Sequence, residues 1–135
     1  MPRMTPELTL LAWSLVLAIA QILLPAHLRT QETGIAYNTG ARDAEGPPMR
    51  PVTGRLRRAQ ANLFETLPLF AAAVLIAHLA GRDGALTLAG CWIFLVARVA
   101  YLPLYAFGVP YLRSLAWLAG LLGLVLVLAA VLRPA

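Results

Sequence analysis

The chain has no lysine, one cysteine and two histidines along its 135 residues. Charged residues make up only 13%, about half the usual share of a globular chain. Each scarcity excludes something. A lone cysteine, Cys91, forms neither an internal disulfide nor a cysteine-based metal site, and its place in an apolar run marks a small core residue. His27 and His78 share no ligand spacing, so no metal is expected. Apolar residues reach 60% and mean hydropathy is +0.74, too high for an ordinary soluble domain. Eleven arginines against six acids give a net charge of +5 and a pI near 10.4. In a soluble chain that balance would point to nucleic acid. Here the arginines lie between hydrophobic runs, with no basic face interleaved with aromatics. Nucleic-acid binding is therefore not expected, and the charge reads as membrane topology.

Four hydrophobic segments follow, each near the ~20 residues that cross a bilayer. They cover about Leu8 to Pro25, Ala59 to Ala80, Leu86 to Phe107 and Ser114 to Leu132. The first is long for a signal-peptide core, has only Arg3 before it and no A-x-A site after it, so a retained span is expected. A polar loop, about 26–56, joins the first two. GRDG (Gly81 to Gly84) and FGVP (Phe107 to Pro110) are tight turns. The expected fold is an all-α, four-transmembrane-helix bundle forming a single domain, 1–135. Arg29, Arg42, Arg50, Arg55, Arg57, Arg58 and Arg113 fall on the side of the long loop; Arg3, Arg82 and Arg133 fall on the other. The positive-inside rule makes the loop side cytoplasmic and puts both termini outside.

The segments are not uniformly apolar. Arg58, Asn62 and Glu65 stand at i, i+4 and i+7, one stripe on the second helix. Arg98, Tyr101 and Tyr105 stand at i, i+3 and i+7 on the third. Antiparallel neighbours would bring both stripes to the same depth, making Glu65 and Arg98 natural partners. Arg113 adds a cation at that level. An unpaired charge at mid-membrane costs several kcal/mol on most estimates, roughly 3 or more, which matched stripes offset. The cleft suits a small anion that also offers an ammonium to Glu65. Each residue taken singly has a plainer role. Arg58 can set topology, Glu65 and Arg98 can form a structural pair, and the tyrosines can join Trp13, Trp92, Tyr111 and Trp117 in an interfacial belt. Pro68 and Pro103 interrupt the hydrogen bonding of their helices beside the stripes and would kink them, opening room.

RAQANLFETLPLF (Arg58 to Phe70), then ARVAYLPLY (Ala97 to Tyr105), then LRS (Leu112 to Ser114) resemble the MAPEG family, the membrane-associated proteins in eicosanoid and glutathione metabolism. The likeness extends over essentially the whole chain, most closely to short bacterial members. It implies a four-helix subunit of a homotrimer in a bacterial inner membrane, binding glutathione between subunits toward the cytosol. Family enzymes attack lipophilic electrophiles with the thiol, isomerise endoperoxides or reduce lipid peroxides. Residue by residue, the resemblance makes Arg58, Asn62, Glu65, Arg98, Tyr101 and Tyr105 glutathione ligands. Gln60 and Arg29 match further ligand positions. Arg113 matches the thiolate-stabilising arginine, with Ser114 beside it.

Departures narrow the expectation. Thr66 and Ala61 replace a tyrosine and an arginine of the eicosanoid branches, and GARDAEGPP (Gly40 to Pro48) is foreign to them. Eicosanoid synthesis is therefore not expected. The sequence points first to a glutathione-dependent transferase or peroxidase acting on a lipophilic small molecule. The alternative is a non-catalytic lipid- or thiol-binding membrane protein of the same fold. A small four-helix exporter would carry a carboxylate inside its first helix, and Leu8 to Pro25 has none.

Overall fold

Prolines, threonines and glycines set the helix ends in the computed structural model, which describes residues 3–134. Residues 1, 2 and 135 of the expected 1–135 domain lie outside the described residues. Helix α1 spans Pro6–Thr33, α2 Ile35–Thr39, α3 Pro51–Leu79, α4 Ala85–Ala106 and α5 Leu112–Leu132. No strand occurs among the described residues. Four of the helices, all but α2, are long and apolar enough to cross a membrane. The chain is an integral, multi-pass membrane protein by that measure.

Two boundaries differ from expectation for physical reasons. Helix α1 runs through Pro25 and ends at Thr33, where Gly34 takes a φ of 86° that a side chain would resist. An interior proline removes one hydrogen bond without stopping a helix held by its neighbours. Beyond Pro25, Thr30 and Thr33 hydroxyls donate to the carbonyls of Ala26 and Arg29. Helix α3 begins at Pro51, ahead of the expected start near residue 59, because a proline in the first turn gives up no bond. The irregular part of the expected 26–56 loop shrinks to residues 40–50.

Glu32 clasps what remains. Its carboxylate accepts from Arg29 Nη1 at 3.1 Å, the Arg50 backbone N–H at 3.0 Å, Arg50 Nε at 3.2 Å and Thr53 Oγ1 at 2.8 Å. One side chain thus ties the end of α1 to the start of α3. Glu32→Ala is expected to speed tryptic cutting at Arg42 several-fold, read on gels over time. An unchanged rate would mean the local bonds, Tyr37 Oη to the Ala44 carbonyl and Arg42 to the Asn38 carbonyl, hold the loop unaided.

The core lies between α1, α3 and α4, closed by α5. Phe70 of α3 and Phe94 of α4, both fully buried, stack at 3.9 Å with planes 8° apart. Helices α4 and α5 form a hairpin whose backbones meet at Gly90 and Gly123. At the end away from the long loop, buried Glu7 accepts from Thr87 Oγ1 at 2.8 Å and ties α1 to the start of α4. The polar stripes lie toward the loop end, where residues of α3, α4 and α5 line a common cavity.

Candidate functional site

Arg58, Asn62 and Glu65 climb one side of α3 and line a cavity of about 650 Å³. Tyr101 and Tyr105 of α4 form a second wall, and Arg113 and Ser114 in the first turn of α5 form a third. Tyr105 is the hub. Arg58 Nε donates to its hydroxyl oxygen at 3.2 Å. The Arg58 and Arg113 guanidinium carbons lie 5.9 and 4.7 Å from its ring centre. Tyr101 meets the same ring edge-on at 5.4 Å. Since Arg58 can only donate, the Tyr105 O–H proton stays free to donate elsewhere.

Two cations and one carboxylate line this cavity, and no ion pair links them among the described residues. Opposite charges so placed repay their exposure when a zwitterionic ligand sits between them. The turn that delivers Arg113 is tight: Gly108 has φ 66° and Tyr111 φ 57°, both in the left-handed region. It starts α5 at Leu112, so Arg113 belongs to a helix rather than to a mobile loop.

The expected Glu65–Arg98 pair does not form. Arg98 is 1% exposed and turned inward, where Nη1 donates to Asn62 Oδ1 at 2.8 Å. Its guanidinium lies 4.3 Å from the Tyr101 ring centre, and Arg98 does not line the cavity. Glu65 sits a turn beyond Asn62, where it lines the cavity and is exposed. Nor do two further expected ligands reach the cavity. Gln60 lies with Arg57, Ile22 and Pro25 in a second groove of about 510 Å³ between α1 and α3. Arg29 is engaged by Glu32.

A family model described as MAPEG family matches residues 10–133. The chain belongs to the MAPEG family. A search of curated proteins finds no match. MAPEG proteins include glutathione transferases and peroxidases as well as members without catalysis, and the family generally uses glutathione. The four-helix membrane fold seen here is the family's own.

In this MAPEG chain the cavity also has an apolar side that sequence reasoning missed. Ala61, Trp117 and Leu118 complete its lining. Trp117 had the look of a belt residue, yet it stands one helical turn after Arg113, as Leu118 does after Ser114. That i, i+4 relation was the available signal. The cavity therefore combines the charged Arg58, Glu65 and Arg113 with an apolar side at Ala61, Trp117 and Leu118. Among the described residues, no cluster of three His, Cys, Asp or Glu side chains is placed to hold a metal.

Proposed function

We propose that this protein is a glutathione-dependent membrane transferase or peroxidase. The observation that carries it is the cavity itself: Arg58, Arg113, Glu65, Asn62 and two tyrosines converge beside an apolar wall on a membrane-embedded bundle. Its volume falls within the ~300–1,000 Å³ of small-molecule sites. Glutathione offers what these groups call for: carboxylates for guanidiniums, an ammonium for Glu65, amides for Asn62. Arg113 is the catalytic residue, its guanidinium favouring the thiolate over a thiol whose free pKa is about 8.5. Tyr105, with its free O–H, and Ser114 hydrogen-bond the sulfur or the developing anion. Trp117 and Leu118 seat a lipophilic electrophile entering from the bilayer.

The assembly proposed is the homotrimer that family resemblance implies. Glu65 lies exposed on a membrane helix and Gln60 lies in a groove that shares Ala61 with the cavity. A neighbouring copy would cover the first and bring Gln60 and Arg29 within reach of the ligand. The orientation proposed puts this end of the bundle in the cytoplasm and both termini outside, supported by the arginine asymmetry; residence in a bacterial inner membrane rests on the resemblance to short bacterial members.

Purified in detergent, the protein is expected to bind glutathione in calorimetry and to conjugate it to a chlorinated nitrobenzene, releasing chloride as the C–S bond forms. Binding without turnover of this substrate or of a lipid hydroperoxide would favour a non-catalytic thiol- or lipid-binding protein. Folded protein that binds no glutathione would overturn the proposal.

A further inference from the structure

Arg98 was expected to touch the ligand, and its position is better explained by another task. It is among the largest fully buried side chains and does not line the cavity. Two of its nitrogens, Nε and Nη2, are buried with no partner, and no carboxylate lies within ion-pairing distance among the described residues. A buried, unpaired cation costs several kcal/mol, roughly 3 or more, so packing alone is a poor account of it. What it does reach are two residues that line the cavity. It donates to Asn62 Oδ1 at 2.8 Å and lies 4.3 Å from the ring centre of Tyr101.

The Asn62 contact has a chemical consequence. A carboxamide presents an acceptor on one arm and donors on the other, and either arm can face a ligand. Arg98 can only donate, so it fixes the oxygen arm toward itself. The other arm, Nδ2, donates to no group among the described residues, and Asn62 lines the cavity. We propose that Arg98 is a positioning residue, locking the Asn62 amide so that its NH2 donates into the cavity toward a carbonyl or carboxylate oxygen of the thiol substrate. The ligand named here rests on the glutathione reading above; the lock itself does not. Placing a full positive charge behind the amide also polarises it, strengthening the donor it presents.

Asn62→Asp separates this role from a structural one. The aspartate keeps the oxygen facing Arg98 and makes that contact charge-assisted, so the melting temperature in detergent holds or rises. It replaces the donor facing the cavity with an acceptor. Glutathione affinity is expected to fall about tenfold, while affinity unchanged in a stable variant overturns the proposal. Arg98→Met removes the lock. It is expected to weaken glutathione about tenfold, and combining it with Asn62→Leu should cost no more than the worse single change, since one acts through the other. Additive losses would mean that Arg98 acts on the ligand by a separate route.

A ligand-free arm keeps the lock testable if glutathione proves to be the wrong thiol. The chain has only two asparagines, Asn38 and Asn62, so side-chain labelling with 15N-asparagine gives two amide signals. Arg98→Met is expected to move the Asn62 signal and leave that of Asn38 in place. Asn62 unmoved in the folded variant defeats the proposal; Asn62 moved in a protein that binds no glutathione defeats only the choice of ligand.

Discussion

Gly123→Ala is expected to be the most destabilising single-methyl change in the molecule. A Cβ there would stand 2.5 Å from the Gly90 carbonyl oxygen and 2.6 Å from the Phe94 nitrogen. Both are backbone atoms, so no side chain can rotate away. The reciprocal change, Gly90→Ala, would meet the Gly123 carbonyl oxygen at 2.6 Å and a Val127 methyl at 2.8 Å. Relief requires α4 and α5 to separate, and that seam sets Arg98 of α4 against Gly120 of α5. Overpacking a well-filled core typically costs about 1–3 kcal/mol, and a backbone-on-backbone clash belongs at or above the top of that range. Gly84→Ala is the control: its Cβ would meet nothing within 4 Å. Thermal melts in detergent should show a large drop for the first two and little change for the third. Gly120→Ala should fall between, because its nearest neighbour is Arg98 Cδ at 3.3 Å. Melts that rank Gly123 with Gly84 would mean the helices are not packed this closely.

Small residues on the last segment, Ala116, Gly120 and Gly123, are visible in the sequence as surfaces for close packing. Their partner is not. Gly123 is consumed inside the chain against Gly90, which no periodicity of α5 alone could disclose. The stripes behave the same way. Arg58, Asn62 and Glu65 share one face because helical spacing dictates it, and all three line one cavity. Which of them meets Arg98 depends on the rotation and stagger of α4 against α3. The stacked Phe70 and Phe94 and the tie between Arg55 Nε and the Ala106 carbonyl at 2.8 Å belong to that same stagger. It selects Asn62 over Glu65, and so turns a supposed ion pair into an amide lock. Gln60 illustrates the complementary limit: two residues from Arg58, it is turned to a different face, and one chain's pattern cannot say what covers that face.

The second large effect is expected from Arg113→Ala. Of the two cavity arginines, Arg58 already donates to Tyr105, whereas Arg113 lies over that ring at 4.7 Å and its N–H groups donate to no side chain or carbonyl among the described residues. It sits in the first turn of α5, one residue before Ser114, so its backbone is anchored by the helix. If it stabilises a thiolate, its contribution appears where charge is greatest. Removing one preorganised group at a developing anion costs about 10²–10³ in turnover. Arg113→Ala should therefore lower kcat about a hundredfold while weakening glutathione only a few-fold, because Arg58, Asn62 and Glu65 still hold the rest of the ligand. The pH profile fixes the sign. A neighbouring cation favours the thiolate and lowers the bound thiol's pKa, so losing it moves the acid limb of kcat to higher pH, toward the value of about 8.5 for a free thiol. Arg113→Lys should restore part of the limb, since it keeps the charge but not the fork of donors. Steady-state kinetics across pH, paired with calorimetry, separate the outcomes. Equal losses in kcat and affinity with an unmoved limb would assign Arg113 to holding the ligand and leave the thiolate to Tyr105 and Ser114.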